Sequence, residues 1–196
     1  MKKRVAIFVS GGGSNMRALV ESMDDTHAAE PVLVLSNNPQ SDGIEWARGQ
    51  GLNTEVVDHR AYGKDRAAFE AQINAVMAPY APDIICLAGF MRVLAADFVN
   101  PWAGRMLNIH PSLLPKFPGL HTHKRALEAK EREHGCTVHL VTPVMDEGPV
   151  LGQARVPVKS DDTPETLAMR VLLQEHKLYP AILRRFAAGD ATPVSF

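Results

Sequence analysis

Two patterns of apolar residues alternate along the chain. Short runs rich in apolar and β-branched residues are typical of strands, and the entirely apolar runs are typical of strands buried on both faces of a parallel sheet. Between them, apolar residues recur every three or four positions, as in a helix with one face on the core. The runs predict strands over residues 5–9, 32–35, 54–57, 84–88 and 106–110.

The segments between these strands predict helices. One begins at Asn15 or Met16, a second spans residues 44–50, and Asp65 is predicted to cap a third. Strand, helix and strand in this order predict right-handed βαβ units. The predicted fold is therefore α/β, with a doubly wound, mainly parallel sheet and helices on both faces.

The last third of the chain follows a different pattern. A helix is predicted over residues 121–132 and strands over 137–141 and 150–156, with a turn-rich loop between the two strands. Two strands joined by one loop pair antiparallel. We therefore expect antiparallel edge strands in the C-terminal part of the sheet.

A long helix is predicted to end the chain. Thr163 followed by Pro164 is typical of a helix start, and the apolar spacing continues to Phe186. Pro180 is expected to kink or divide this helix. Because neither repeats nor a flexible linker interrupt the pattern, residues 1–196 are predicted to form a single domain.

Composition narrows the possible functions. The chain has 196 residues, of which 45% are hydrophobic, and 21 basic residues balance 22 acidic ones. That balance argues against a nucleic-acid partner. No signal peptide and no run of about 20 apolar residues is found, so a cytoplasmic protein without a membrane partner is expected. Two cysteines form neither a disulfide framework nor a thiolate metal site.

A glycine-rich loop, Ser-Gly-Gly-Gly-Ser-Asn at 10–15, joins the first strand to the first helix. Glycines permit close approach of the backbone, and a helix N-terminus offers unpaired N–H groups, so phosphate is a suitable ligand. A dinucleotide fingerprint would need glycine in place of Met16 and an acid near Asn37, and the P-loop lysine is absent. A monophosphate ester is favoured, and a tight turn without a ligand is the alternative.

Asn108 and His110 are polar positions on an otherwise apolar strand. Residues two apart on a strand share a face, so both side chains are predicted to project together near the carboxyl end of the sheet. A structural asparagine and a hydrogen-bonded core histidine are the alternative. The proline-rich segment 111–118 follows at once and is expected to form a rigid wall beside the histidine.

Asp146 lies in the loop between the two C-terminal strands. An aspartate beside a Gly-Pro turn is usually only a turn residue. If it folds next to His110, its charge would favour the protonated imidazole.

Six stretches of the chain, in order, resemble the phosphoribosylglycinamide formyltransferase family. Asn-Ile-His-Pro-Ser-Leu-Leu-Pro at 108–115 is specific to folate formyltransferases and their relatives, and Pro-Gly-Leu-His-Thr-His at 118–123 narrows the resemblance to this family. The others are Ser-Gly-Gly-Gly-Ser-Asn at 10–15, Leu-Ala-Gly-Phe-Met-Arg at 87–92, Asp-Glu-Gly-Pro at 146–149 and Gln-Glu-His at 174–176.

The resemblance implies transfer of a formyl group from 10-formyltetrahydrofolate to the amine of 5-phosphoribosylglycinamide, in purine biosynthesis. It implies that Asn108 and protonated His110 stabilise a tetrahedral intermediate, with Asp146 assisting. No metal is expected, since His121 and His123 lack further ligands at a usual spacing. A monomer and a homodimer are both left open.

The resemblance also implies binding residues for the two substrates. For the phosphorylated substrate these are Gly13, Ser14, Asn15, Met16, Arg17 and Glu175. For the folate they are Arg66, Met91, Arg92, Val93, Leu94, Asn108, Thr142 and Asp146.

Three other functions compete with this one. A methionyl-tRNA formyltransferase shares the Asn-x-His core but would carry a C-terminal RNA-binding domain, which we do not expect here. A formyltetrahydrofolate hydrolase would carry an N-terminal regulatory domain, which we also do not expect. A non-enzymatic phosphosugar-binding protein would explain the glycine loop, but not Asn108, His110 and Asp146 together.

Overall fold

A single sheet of eight strands organises the molecule, which a computed structural model describes over residues 1–196. The strand order is β3-β2-β1-β4-β5-β6-β7-β8. Only β6 runs against the others, because it pairs antiparallel with both β5 and β7. The bounds are β1 Lys3–Val9, β2 Ala29–Ser36, β3 Thr54–Val56, β4 Ile84–Leu87, β5 Met106–His110, β6 Glu133–Leu140, β7 Val150–Pro157 and β8 Val194–Ser195.

Six α-helices cover the sheet, and none has the length and apolarity of a membrane span. Side chains that alternate along β1 enter two separate cores: Val5 and Ile7 join one, and Ala6 and Phe8 join the other. The predicted doubly wound sheet with helices on both faces is confirmed. The helices are α1 Ser14–Ser22, α2 Asp42–Gly49, α3 Arg66–Met77, α4 Ala96–Val99, α5 Thr122–Glu128 and α6 Pro164–Ala187.

Two predicted helix starts are confirmed by their caps. The side chain of Asp65 accepts a hydrogen bond from Ala68 N (2.9 Å) at the start of α3. Thr163 and Thr166 form a reciprocal capping box at the start of α6. Each cap satisfies N–H groups that the first turn of a helix leaves without partners.

Pro180 does not divide α6, which runs unbroken from Pro164 to Ala187. The proline removes one backbone hydrogen bond, but the helix is held by its neighbours in the core. Tyr179 is fully buried, and its hydroxyl donates to the carbonyls of Leu87 (3.2 Å) and Leu107 (3.1 Å). These contacts fix the helix against two central strands, β4 and β5.

The C-terminal elements differ in extent from the prediction. Helix α5 ends at Glu128, and β6 begins at Glu133 instead of at residue 137. Lys130 adopts a left-handed conformation (φ 53°), which stops the helix and turns the chain into the strand. The predicted antiparallel pairing is confirmed, but the outermost strand is β8, whose two residues are too few to produce a periodic pattern.

The order of the central strands fixes where a ligand can bind. The chain moves from β1 outward to β2 and β3, and then returns to place β4 on the other side of β1. Loops that leave β1 and β4 therefore diverge and open a crevice at the carboxyl ends of these strands. The glycine loop follows β1, the segment at 88–95 follows β4, and His110 ends the adjacent β5.

Candidate active site

The glycine loop is held open for a ligand by α2. Gly11 O accepts hydrogen bonds from Gly43 N (3.1 Å) and from the hydroxyl of Ser41 (2.7 Å). Gly13 has φ +71°, and a Cβ there would lie 2.9 Å from the Cα of Gly43, so only glycine fits. Because α1 has no side-chain cap, its first N–H groups stay free for an anion.

Two of the predicted substrate-binding residues, Asn15 and Glu175, meet beneath this loop. Asn15 Nδ2 donates to Glu175 Oε2 (2.6 Å), and both side chains are buried. Burial raises the pKa of Glu175, while the bond from Asn15 opposes that rise. Asn15 Oδ1 is buried without a partner. Such orphaned atoms are rare in native folds, so this oxygen can accept a hydrogen bond from a ligand or a water.

Arg17 occupies the first turn of α1 beside Ser14. Its guanidinium lies over the ring of Trp46, with 5.4 Å from Cζ to the ring centroid, and its Nε is buried without a partner. Stacking on the indole holds the cation while leaving its donors unused. Ser14, Met16 and Arg17 therefore all lie at the helix end where an anion would sit.

The segment at 88–95 is tied directly to the glycine loop. The Ser10 hydroxyl accepts from Met91 N (2.7 Å) and donates to Asn37 Oδ1 (2.5 Å), and Ser10 N donates to Gly89 O (3.1 Å). One serine at the end of β1 thus joins the predicted phosphate loop to the predicted folate segment.

Large apolar side chains are exposed on two loops of the predicted folate site. Met91 and Val93 are 69% and 62% exposed, and Val144 and Met145 are 55% and 58% exposed. Apolar groups left in water at such levels are typical of a binding surface. Leu94 differs because it is buried, and it packs in the second core with Phe90 and Phe98.

Arg66 and Arg92 line one cleft of about 320 Å³, together with Val93. Lys64 adds a further cation to this lining, and Asp65 adds one carboxylate. A larger cleft of about 630 Å³ lies elsewhere, behind residues 113–116, and none of the predicted site residues lines it.

The structure brings Asn108, His110 and Asp146 together. His110 Nδ1 lies 3.5 Å from Asp146 Oδ2, and the two side chains are 8% and 7% exposed. Asp146 Oδ2 also accepts from Gly119 N (2.8 Å), which ties its loop to the proline-rich segment. In this low-dielectric setting the carboxylate acts strongly on a positive charge at the ring.

His139 completes the cluster and was missed in the sequence. It lies opposite Asn108 in the β5–β6 register, and its Nε2 is 3.1 Å from Asn108 Nδ2 and 3.8 Å from Asp146 Oδ1. Burial lowers the pKa of His139. Its Nδ1 faces Leu140 O (2.9 Å) and so carries the hydrogen, which leaves Nε2 to accept from the Asn108 amide. The available signal was a histidine between the apolar residues Val138 and Leu140 of a predicted strand.

Both ring nitrogens of His110 face acceptors. Nε2 lies 3.0 Å from the carbonyl of Phe117, and Nδ1 faces Asp146. Each ring nitrogen that carries a hydrogen can therefore donate a hydrogen bond to the acceptor that faces it. Phe117 (φ 54°) and Asp146 (φ 58°) adopt left-handed conformations, and strain of this kind is often found beside functional groups.

A second histidine pair, His123 and His134, lies behind the proline-rich segment. His134 Nε2 is 3.1 Å from His123 Nδ1. Burial lowers the pKa of His123, and it lowers the pKa of His134 from 6.5 to about 4. No group of three or more His, Cys, Asp or Glu side chains is arranged to hold a metal ion.

Because burial lowers the pKa of His134, we expect the folded protein to lose stability in mild acid. Below pH 6.5 His134 binds a proton in the unfolded chain but not in the folded protein. The contribution of neutral His134 to the free energy of unfolding is therefore complete above pH 6.5 and is lost as the pH falls toward about 4. We expect the melting temperature to fall between pH 6.5 and 4.5, and to fall less steeply in His134→Gln. The exposed His121→Asn should keep the wild-type slope, and equal slopes in all three proteins would contradict the assignment.

The doubly wound sheet and the cluster of Asn108, His110 and Asp146 are consistent with one family of enzymes. Comparison with known sequences identifies that family. A profile of the family described as Formyl transferase matches residues 3–183. The chain belongs to this family.

Within the family, the chain is similar to phosphoribosylglycinamide formyltransferases. That of Escherichia coli (strain K12) is 44% identical over 186 residues, which cover 94% of this chain and 87% of the relative. The crystal structure of the enzyme from Brucella melitensis is 52% identical, with a TM-score of 0.91, and the match covers 96% of this chain and 97% of that one.

A longer relative also contains this unit. The trifunctional purine biosynthetic protein adenosine-3 of Bos taurus is 47% identical over 189 residues, which are 96% of this chain but 19% of that protein. The chain therefore spans about a fifth of the length of this relative.

Proposed function

We propose that the protein transfers the formyl group of 10-formyltetrahydrofolate to the amine of 5-phosphoribosylglycinamide, and that residues 1–196 act as one domain. The observation that carries this proposal is the cluster of the Asn108 amide, the His110 imidazole and the Asp146 carboxylate beside a crevice that the glycine loop borders. The names of the bacterial relatives support the choice of substrates.

In this proposal the phosphate of the acceptor binds at the start of α1. Gly13, Ser14 and Asn15 present backbone N–H groups, and Arg17 adds a cation whose Nε has no partner within the protein. Charge-assisted hydrogen bonds of this kind are about twice as strong as neutral ones. Glu175, bound by Asn15, is placed to accept from the ribose hydroxyls or the amine.

The folate binds along the segment that follows β4. Met91 and Val93 offer apolar surface to its ring system, and the side chains of Arg66 and Arg92 offer charge to its carboxylates. Asn108, Thr142 and Asp146 complete the folate contacts in this assignment. Buried apolar contact with a few polar anchors is the usual composition of a small-molecule site.

The chemistry is an acyl transfer. The acceptor amine attacks the formyl carbon and forms a tetrahedral intermediate with a negative oxygen; the bond to N10 then breaks and N10 gains a proton. Preorganised donors stabilise such an oxygen best. The free N–H of Asn108 is one donor, and the His110 Nε2–H is the other once the oxyanion replaces the Phe117 carbonyl.

Asp146 has two tasks in this proposal. Its carboxylate, 3.5 Å from His110 Nδ1, forms an ion pair with the protonated imidazole. It also receives the proton that the amine loses on attack, through one water, for delivery to N10. Neither a nucleophilic side chain nor a metal is needed for this step.

The experiment that tests the proposal offers the purified protein one donor and three acceptors. With 10-formyltetrahydrofolate, we expect rapid formylation of 5-phosphoribosylglycinamide, no formylation of methionyl-tRNA and only slow release of formate in water. Rapid formate release without an added amine would favour the hydrolase, and formylation of tRNA would favour the other transferase.

The phosphate loop can be tested separately from the folate site. Ser14→Ala and Arg17→Ala are expected to raise the KM for 5-phosphoribosylglycinamide, by about tenfold for Arg17→Ala, because each removes a donor to the phosphate. Arg66→Ala serves as the matched control and should raise the KM for the folate instead. A defect of Arg17→Ala on the folate side alone would show that the loop does not hold phosphate.

A further inference from the structure

Glu70 is a buried acid that the proposed mechanism does not use. It lies on α3 next to Phe69, and its side chain is only 6% exposed. Burying a carboxylate costs free energy unless hydrogen bonds or a cation compensate for the lost water. Its partners therefore indicate what the group holds in place.

One partner of Glu70 lies next to the proposed folate site, and the other belongs to it. Oε1 accepts a hydrogen bond from Ala95 N (2.7 Å), directly after the segment 91–94. The same oxygen lies 3.9 Å from Nε of Arg66, one helical turn earlier on α3. No other carboxylate pairs with Arg66, whose side chain is 55% exposed.

We propose that Glu70 is a positioning residue that sets the geometry of Arg66 and of the segment 91–94 for the formyl donor. An arginine half in water loses considerable side-chain entropy on binding, and a fixed carboxylate reduces that loss. The segment 91–94 has no strand partner, so the bond at Ala95 anchors its far end while the Ser10 hydroxyl anchors Met91. The donor therefore meets a preformed surface.

This inference rests on the proposed function, because it assigns Arg66 and the segment 91–94 to the folate. Glu70 itself is buried, so in this proposal it does not touch the donor. Its effect should appear in donor binding, while acceptor binding and the chemical step stay nearly unchanged, since uniform binding affects KM without affecting kcat.

Two substitutions separate the hydrogen bond from the charge. Glu70→Ala removes both contacts and is expected to raise the donor KM about tenfold, with the acceptor KM and kcat within about twofold of wild type. Glu70→Gln keeps an oxygen for Ala95 N and loses only the pair with Arg66, so a rise of about two- to fivefold is expected. The exposed Asn74→Ala on the same helix is the control and should leave all three parameters unchanged.

A double-mutant cycle tests whether the charge acts through Arg66. In an Arg66→Ala background, Glu70→Gln should produce no further rise in donor KM. An independent second effect would overturn the positioning role, as would a donor KM within twofold of wild type for both Glu70 variants. If Glu70→Ala does not fold, the Glu70→Gln cycle decides the question.

Two measurements distinguish an error in the role of Glu70 from an error in the proposed function. Binding of 10-formyl-5,8-dideazafolate, measured by calorimetry without any acceptor, reports on Glu70 alone. If wild type binds this analogue but formylates no amine, the acceptor assignment is wrong, and the Glu70 variants should still bind the analogue more weakly. Equal affinity in wild type, Glu70→Gln and Glu70→Ala would overturn the positioning role while leaving formyl transfer intact.

Discussion

Asp146→Asn is expected to lower kcat by about 10²–10⁴-fold while the protein remains folded. The substitution removes the charge 3.5 Å from His110 Nδ1 and the base that receives the amine proton. Asparagine preserves the shape of the side chain, can still accept from Gly119 N, and tolerates the left-handed backbone at this position (φ 58°). Steady-state kinetics measure kcat, and the melting temperature and the affinity for the donor show whether folding and binding are preserved.

The neighbouring Glu147→Gln is the matched control, since it removes one exposed negative charge from the same loop. It should leave kcat within about twofold, as expected of a surface charge far from special features. Asp146→Asn with turnover within threefold of wild type would remove Asp146 from the mechanism. Loss of the folded state in Asp146→Asn would instead point to a structural role for the residue.

Asn108→Ala is the second large effect, with an expected loss of about 10²–10³ in kcat, as for other oxyanion donors. Its amide donates one N–H to His139 Nε2, which leaves the other for the oxyanion. Asn108→Asp should be equally impaired, because an ionised carboxylate has no hydrogen to donate. Both KM values are expected to change much less than kcat.

A structural asparagine provides the control for Asn108. Asn53 Nδ2 donates to the carbonyl of Val32 (3.1 Å), away from the cluster, so Asn53→Ala should cost about 0.5–1.5 kcal/mol of stability without affecting kcat. If Asn108→Ala loses stability and keeps its turnover, Asn108 is a structural asparagine too, which was the alternative in the sequence.

Much of the fold could be predicted because the signals are local. The apolar runs at 5–9 and 84–88 are confirmed as strands β1 and β4, and Asp65 and Thr163 mark helix starts through their own side chains. The start of β6 could not be predicted, because Glu133 and His134 resemble a polar turn until β7 pairs with them.

The site was predictable only where residues are close in sequence. Asn108 and His110 follow from the period of a single strand, whereas nothing local brings Asp146 to His110 or His139 to Asn108. Those contacts depend on the β5–β6 register and on the path of the loop at 142–149. Glu70 gave no signal at all, since an acid on a helix is usually exposed and its partner Ala95 lies 25 positions away.

The central claim is that the formyl group passes to the amine of 5-phosphoribosylglycinamide. A single-turnover experiment with donor labelled as [¹³C]formyl tests it most directly, with NMR to follow the label. We predict that one equivalent of label appears as the formamide of the acceptor, with one equivalent of tetrahydrofolate, and that Asp146→Asn slows this step. Label recovered as formate, or left on the donor while both substrates are bound, would contradict the account.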